Sequence, residues 1–300
     1  MAEPCLRSSQ QRAFVDVLTK GRHLLLARSL VERHRVSVRR ACRVLHLSES
    51  TYRYRRQWRE LEGLRERIQE LAADRPRAGY RTIHYFLKVD GWKVGAKQVY
   101  RVYRDAGLAV RRRKRRRTGV IQRKPAAVPE APNVRWSMDF MSDSLENGRS
   151  FRVLNVVDDF SREALTMEVD TSITGQRVVR VLDRLIEERG APAAIVVDNG
   201  SEFTSRALDQ WSYRTGIRLD FIEPGKPIQN CFVESFNGRV RDECLNQHWF
   251  TDLGHARRIV EAWRLDYNHV RPHSSLGYTP PAVYAEGALR SQAPSAPTRN

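Results

Sequence analysis

Residues 193–200 read AAIVVDNG, a short and almost entirely apolar run that ends in an aspartate, an asparagine and a glycine. A run of this length without polar alternation is typical of a central β-strand that is buried on both faces. Amphipathic helical patterns lie before it, at residues 174–190, and after it, at residues 205–216. The stretch therefore predicts an α/β fold in which helices cover a sheet.

Three strand patterns come earlier in the chain, at residues 134–143, 151–162 and 163–170, and would form a meander. A further strand follows at residues 218–224, and then a helix at residues 229–246. The order is thus three strands, helix, strand, helix, strand, helix. This order is what a ribonuclease-H-like fold requires, with a mixed sheet between helices on both sides.

Charge divides the 300-residue chain into two parts. Residues 1–131 contain 33 Lys and Arg against 12 Asp and Glu, a net charge of +21, whereas residues 132–300 contain 20 against 23, a net charge of −3. Basic regions attract polyanions by steering and by counterion release from nucleic acid. A ribosomal or RNA-binding protein could share the total charge, but the asymmetry predicts a basic binding region joined to a near-neutral domain with another task.

Residues 36–57 are typical of a helix-turn-helix. Ser37 and Ser48 can cap its first and second helix, and the letters HLS supply the turn. The second helix would present Arg53 and Arg56 to the major groove of DNA. The alternative is a solvated pair of basic helices without a ligand.

A second helical unit follows over residues 58–110. Its last helix places Lys97, Arg101 and Arg104 at i, i+4 and i+7, on the side opposite its apolar residues. Gly107 would end this helix. The pattern predicts a compact helical unit whose basic face contacts DNA.

A Lys- and Arg-rich linker, residues 111–132, opens with the run RRRKRRR and continues with the proline-rich letters KPAAVPEAPN. It can be a solvated disordered linker or a flexible arm that tracks phosphates, and the two are compatible because an arm can order on DNA. The residues predicted to contact phosphate here are Arg111, Arg112, Arg113, Lys114, Arg115, Arg116 and Arg117.

These patterns predict five segments along the chain. They are an N-terminal helix-turn-helix region at residues 1–57, the second helical unit, the linker, an α/β core at residues 133–287 and a disordered tail at residues 288–300. No run of about 18 apolar residues is present, and the N-terminus lacks the apolar core of a signal peptide. We expect no membrane association, and a cytoplasmic location.

Two aspartates stand out in the core. Asp139 lies between Met138 and Phe140 in the first strand, where a carboxylate is costly unless it has a partner or a metal. Asp198 follows the buried strand, and ligand sites of open sheets favour the carboxyl ends of strands. A simple Asp-Asn-Gly turn is the alternative for Asp198.

The third carboxylate is on the helix QNCFVESFNGRVRDECLN. Glu234 shares one face of it with Asn230, Asn237 and Arg241, beside an apolar stripe. Residues on this face are predicted to lie where DNA passes, and Arg241 can hold a phosphate with two hydrogen bonds.

Three carboxylates are hard oxygen ligands suited to Mg²⁺ or Mn²⁺. Two such ions can serve an in-line displacement at phosphorus. Asp158 and Asp159, in the letters DDFSR, are competing candidates, but a cap or turn role is favoured for both. Neither a Walker-type phosphate loop nor a GxSxG nucleophile motif is present.

The order WSMDF, VVDNGSEF, GKPIQNCFVESFNGRVRDECLN and NHVRPHSSLGYTPPAVY resembles the integrase core of bacterial insertion-sequence transposases of the IS-three family, which is related to retroviral integrases. The resemblance covers most of residues 36–284 and includes the 35 residues between Asp198 and Glu234 and the basic Arg241. It implies that Asp139, Asp198 and Glu234 bind two divalent ions, and that the chain performs DNA strand transfer.

The resemblance also implies partners. Full transposases of this family arise by frameshifting, which joins an upstream helix-turn-helix and leucine zipper to the downstream frame. Residues 1–35 show no sustained heptads, so the chain is expected to be the downstream product. It would act with the upstream product, or fused to it, as a multimer on double-stranded DNA.

The leading interpretation is a DDE transposase subunit that hydrolyses a phosphodiester at an element end. The freed 3′-hydroxyl would then attack another phosphodiester. One alternative is a non-catalytic DNA-binding regulator of transposition that retains the fold. Another is a ribonuclease H-type hydrolase, which would need neither the basic run nor two helical DNA-binding units.

Overall fold

The computed structural model describes residues 23–53, 59–110, 128–223 and 230–292. The chain forms two compact units, Met1–Leu64 and Arg65–Asn300. Within the described ranges, no helix combines the length and the apolar character that a membrane crossing requires.

In the first unit, two helices lie where the sequence predicts a helix-turn-helix, of which residues 54–57 lie outside the described residues. Residues 23–34 form the described part of α1, and α2 (Val38–Val44) and α3 (Glu49–Arg53) follow. Ser37 Oγ accepts a hydrogen bond from the backbone N–H of Arg40, and Ser48 Oγ accepts one from the N–H of Thr51. Both serines therefore cap their helices, as their positions in the sequence predict.

Three helices come next in the chain, namely α4 (Arg59–Asp74), α5 (Tyr80–Val89) and α6 (Ala96–Asp105). In the second unit, α5 and α6 pack together through buried apolar side chains such as Leu87 and Val99. Gly107 has a φ of +72° just after α6, and its N–H donates to the carbonyl of Arg104. The glycine thus ends the helix as the sequence predicts.

The core of the second unit is a five-stranded sheet in the order β3-β2-β1-β4-β5. Its strands are β1 (Arg135–Ser144), β2 (Ser150–Asp158), β3 (Ala164–Asp170), β4 (Ala194–Val197) and β5 (Arg218–Phe221). The first three strands are antiparallel, and β4 and β5 add in parallel beside β1. The meander and the mixed sheet agree with the sequence, and β1 lies in the middle.

Helices cover both faces of this sheet. One face packs against α7 (Gly175–Arg189) and α8 (Arg206–Thr215), around the buried Trp136 and Trp211. The other face packs against α9 (Cys231–Glu243) and α10 (Leu253–His269), around Phe236 and Tyr267. The predicted stripe of α9, made by Val233, Phe236, Val240 and Cys244, is buried in this second layer.

Side-chain hydrogen bonds connect the end of α10 to the sheet and the end of α4 to α10. The amide of Asn268, at the end of α10, both accepts from the N–H and donates to the carbonyl of Ala164 (each 2.9 Å). Arg75, just after α4, donates to both carboxylate oxygens of Asp266 on α10 (2.8 and 2.5 Å). The sheet, its helices and the end of α4 thus belong to one unit.

The last helix, α11 (Pro281–Gln292), corrects one predicted boundary. The disordered tail was predicted from residue 288, but residues 288–292 continue the helix. The letters ALRSQ contain good helix formers, and the next helix-breaking proline comes only at Pro294.

Candidate functional site

Asp139 lies in β1, the central strand, and both of its carboxylate oxygens are held. Oδ1 accepts the N–H of Phe140 (2.7 Å), and Oδ2 accepts the side-chain amide of Asn237 on α9 (2.8 Å). The helix that carries Glu234 is therefore joined directly to the strand that carries Asp139.

A second asparagine extends this contact into the core. Asn155 lies opposite Asp139 in the β1–β2 register, and its Nδ2 donates to Asn237 Oδ1 (2.7 Å). Asn155 is completely buried, and its Oδ1 has no hydrogen-bond partner among the described residues. Sequence reasoning missed Asn155. An asparagine among the apolar residues of FRVLNVVD was the available signal, because a buried amide requires a partner.

Asp198 follows β4, the parallel neighbour of β1. Ser137 of β1 pairs with Val196 of β4, and continuing this register by two residues brings Asp198 level with Asp139. Asp198 Oδ1 accepts the N–H of Gly200 (2.9 Å), so the Asp-Asn-Gly turn considered above is also present. The turn fixes the carboxylate at the end of the strand, and the two readings of Asp198 are compatible.

Asp198 and Glu234 are close enough to Asp139 for their charges to affect its pKa. Burial, together with the negative charges of Asp198 and Glu234, raises the pKa of Asp139 to about 6, against the hydrogen bonds from Phe140 and Asn237. Glu234 is largely exposed, and partial burial raises its pKa above the ordinary value. A cation near Asp139 would relieve this repulsion.

The carboxylates are neighbours without forming a closed ligand shell. Among the residues that the structure describes, no three His, Cys, Asp or Glu side chains stand close enough to hold one metal ion. The donor chemistry of Asp139, Asp198 and Glu234, three negatively charged oxygen ligands, nevertheless fits a hard divalent cation.

The structure differs from the sequence expectation for two residues of α9. Asn230 is 2% exposed and Asn237 is 9% exposed, and both face the sheet rather than a path for DNA. Asn230 Nδ2 points to the carbonyl of Met138 (3.5 Å). The physical reason is their place on the helix, at the border of the apolar stripe, which the sheet covers. Their amides position β1 instead of lining an open surface.

Arg241 is partly exposed but already engaged. Its guanidinium donates to Asp143 Oδ2 (2.8 Å) and to the carbonyl of Ser142 (2.6 Å), both on β1. To hold a phosphate with two hydrogen bonds, Arg241 would have to exchange these partners.

Asp158 and Asp159 have structural partners. Asp158 accepts the backbone N–H groups of Asn133, Phe160 and Ser161, as the favoured cap or turn role requires. Asp159 accepts Ser137 Oγ and Arg135 Nε (each 2.6 Å), and burial raises its pKa.

The basic residues predicted to contact DNA are only partly described. Lys97, Arg101 and Arg104 are exposed on α6, opposite the buried Val99 and Val102. Arg53 is exposed on α3 and pairs with Glu49 (3.2 Å). Arg56 and the seven residues of the linker run lie outside the described residues.

Family models match three parts of the chain. Residues 129–227 and residues 215–281 each match an integrase core domain, and residues 58–116 match an HTH-like domain. The first two ranges contain Asp139, Asp198 and Glu234.

Proteins of bacterial insertion elements are similar over most of their length. An uncharacterized 31.7 kDa protein of insertion element IS407 from Burkholderia multivorans is 51% identical over 85% of this chain and 92% of its own length. An uncharacterized 39.2 kDa protein of IS476 from Xanthomonas euvesicatoria is 44% identical over 90% of this chain and 78% of its own length.

A solved structure supports the fold. A chain from the cryo-EM structure of a simian T-cell lymphotropic virus intasome in complex with PP2A regulatory subunit B56 gamma superposes with a TM-score of 0.50, at 16% identity. The superposition covers 78% of each chain.

Proposed function

The chain belongs to the transposases of bacterial insertion elements that carry an integrase core, and we propose that it is their metal-dependent catalytic subunit. It would hydrolyse a phosphodiester at an element end and then join the freed 3′-hydroxyl to a second phosphodiester. The observation that carries this proposal is that Asp198 and Glu234 lie near enough to Asp139 for their charges to raise its pKa, in addition to the larger effect of burial.

Asp139, Asp198 and Glu234 would hold two Mg²⁺ or Mn²⁺ ions. Ions bound there supply a Lewis acid for the attacking and leaving oxygens of an in-line displacement at phosphorus. No covalent bond between protein and DNA is needed, so no side-chain nucleophile has to be found.

The surrounding residues orient the carboxylates. Asn237 and the N–H of Phe140 fix the plane of the Asp139 carboxylate, and Asn155 holds Asn237 from the core. Gly200 N–H holds Asp198 at the end of β4. Glu234 remains exposed on α9 and can approach the other two. Such preorganisation is what transfer of a phosphoryl group requires.

DNA would be bound by the basic part of the chain. The exposed face of α6, the helix-turn-helix and the linker run together would neutralise phosphates of double-stranded DNA, both element ends and target. We further propose that the chain works as a multimer on DNA, with the product of the upstream frame or fused to it, in the bacterial cytoplasm at the nucleoid.

Glu234→Gln tests the catalytic role, because it keeps the size of the side chain but removes its charge. We expect loss of cleavage and strand transfer in Mg²⁺ or Mn²⁺, with DNA affinity within about twofold of the original chain. Glu187→Gln is the matched control, because Glu187 is equally exposed on a helix of the opposite face. The assay includes the upstream-frame product and a DNA substrate with element ends.

Two results would contradict the proposal. Transposition at the normal rate by Glu234→Gln would remove Glu234 from the catalytic set. If the original chain binds element DNA but never cuts it, even with Mn²⁺ and the upstream product, it is a DNA-binding regulator that retains the integrase fold.

A further inference from the structure

Arg239 on α9 is a half-buried arginine without a counter-charge. Burial lowers its pKa, and so does the neighbouring positive charge of Arg271. Among the residues that the structure describes, no acceptor takes a hydrogen bond from Arg239. Glu243 acts on it at longer range, but both oxygens of that carboxylate are bound by Arg271 (2.5 and 2.6 Å). The five N–H donors of the Arg239 guanidinium are therefore without an acceptor among the described residues.

Arg239 lines two adjoining cavities of about 290 and 530 Å³, which also share Ser274. Neither cavity has an Asp or a Glu in its described lining. A third cavity of the same unit, about 390 Å³, is lined by Asp74, Glu243 and Asp266. The two cavities at Arg239 differ from this third cavity in having no carboxylate among their described lining residues. The arginines that line them are Arg81, Arg162, Arg239 and Arg271.

The other arginines have partners. Arg271 is paired with Glu243. Arg162 donates to the carbonyl of Asp159 (2.5 Å) and lies 3.8 Å above the ring of Phe232. The smaller cavity therefore contains two guanidinium groups, and Arg239 is the one without a hydrogen-bond acceptor among the described residues.

Neutral hydrogen-bonding groups surround this charge. Ser235 lies one helical turn before Arg239, and Ser274 and Ser275, in the segment after α10, line the same cavity. Burial lowers the pKa of His273 to about 3, and the charges of Arg239, Arg271 and Arg162 lower it as well. The histidine therefore adds no charge at neutral pH. A guanidinium in a cavity that is also lined by hydroxyl groups is suited to bind an oxyanion.

The cavities at Arg239 lie on the other side of α9 from Glu234. Asn237 and Glu234 occupy one border of the apolar stripe of α9, and Ser235 and Arg239 occupy the other border. A single helix thus presents the carboxylate of Glu234 on one side and the guanidinium of Arg239 on the other.

We propose that Arg239, with Ser235 and Ser274, is a subsite for one backbone phosphate of DNA, separate from the phosphate that reacts. This inference rests on the proposed function, because that function makes DNA the ligand. The subsite would position the duplex across α9 without reading its sequence.

Full-length Arg239→Gln tests the subsite by duplex affinity in EDTA, measured by fluorescence anisotropy over a range of salt concentrations. We expect affinity to fall about tenfold, as for the loss of one charge-assisted contact. The slope of log affinity against log salt should decrease by about 0.9. Arg239→Lys should retain most of the slope, because a lysine still neutralises a phosphate.

Arg180→Gln is the matched control, because Arg180 is exposed on α7, which covers the opposite face of the sheet. It removes the same charge and should change affinity less than twofold. Equal losses in the two variants, or no loss in Arg239→Gln, would overturn the subsite.

Thermal unfolding separates a structural role from a binding role. Removing an uncompensated, half-buried charge should leave Tm unchanged or raise it. A lowered Tm with normal DNA affinity would show that Arg239 only supports the fold. Inorganic phosphate should raise the Tm of the original chain more than that of Arg239→Gln. If it does so while DNA affinity is unchanged, the site takes free anions and the DNA assignment fails.

Failure of this inference can be told apart from failure of the proposed function. Binding is measured without divalent ions, and Glu234→Gln should bind DNA like the original chain. Normal binding by Arg239→Gln would remove the subsite and leave strand transfer untouched, whereas an active Glu234→Gln variant would remove the catalytic assignment and leave the subsite intact.

Discussion

Asp139→Asn should stabilise the metal-free protein at neutral pH. Burial and the charges of Asp198 and Glu234 raise the carboxyl pKa of Asp139 from 3.8 to about 6. Two pKa units correspond to about 3 kcal/mol of cost for the ionised form in the folded state. The amide keeps only one acceptor oxygen for two donors, which costs about 1 kcal/mol, and partial exposure reduces the electrostatic gain further. The net expectation is about 1–2 kcal/mol of added stability at pH 7.

The sign of the pH dependence follows from linkage. Because the folded pKa is raised, the folded state binds the proton more readily than the unfolded state between about pH 4 and pH 6. The penalty is absent below this window and fully present above it. The advantage of Asp139→Asn should therefore appear as pH rises from 4 to 6 and then remain constant.

Urea unfolding of the full chain in EDTA, followed by tryptophan fluorescence from pH 4 to pH 8, measures this difference. Asp209→Asn, at an exposed position of α8, controls for loss of a surface charge and should change stability by less than about 0.5 kcal/mol. Added Mg²⁺ should then stabilise the original chain more than Asp139→Asn, since a bound ligand favours the folded state. A variant that is less stable than the original chain at pH 7 in EDTA would refute the reasoning, and equal stabilisation by Mg²⁺ would remove Asp139 as a ligand.

Three further changes have defined outcomes. Asn237→Ala should lower the free energy of unfolding by about 2–4 kcal/mol in urea, because a charge-assisted hydrogen bond is lost and the buried amide of Asn155 is left without its acceptor; a loss below about 1 kcal/mol would contradict this. Arg271→Met breaks a bidentate ion pair that is mostly shielded from water, and should cost about 2–3 kcal/mol by the same measurement; an unchanged urea midpoint would show that the pair contributes nothing. Replacing Lys97 and Arg101 together by glutamine should leave Tm unchanged and reduce the salt slope of duplex binding by up to about 1.8; an unaltered slope would mean that this face of α6 does not contact phosphate.

Local patterns in the sequence were sufficient for most of the secondary structure. Residues 193–200 predicted a buried strand, and β4 occupies four of them, all buried, between β1 and β5. Ser37, Ser48 and Gly107 marked helix ends through hydrogen bonds to nearby backbone, which short-range sequence determines. That β1 and β4 are neighbours, which brings Asp198 beside the strand of Asp139, was not predicted and came from the fold.

The roles of individual polar residues on α9 could be assigned only from the tertiary structure. The sequence placed Asn230, Asn237 and Arg241 on one face of a helix, but the rotation of that helix against the sheet decides which of them is buried. The sheet covers Asn230 and Asn237, and Arg241 pairs with Asp143 on a strand far away in sequence.

Arg239 and Arg241 illustrate the same limit. They are two positions apart in the letters NGRVRDE, and the sequence places them on different faces of the helix without showing which of them meets a carboxylate. In the fold, Arg241 finds a carboxylate 98 residues earlier in the chain, whereas Arg239 faces cavities without one. Helical periodicity fixes the relative direction of side chains on one element, but their partners come from other elements. Only the packing of α9 between β1 and the segment after α10 decides which arginine is neutralised and which remains free to bind an anion.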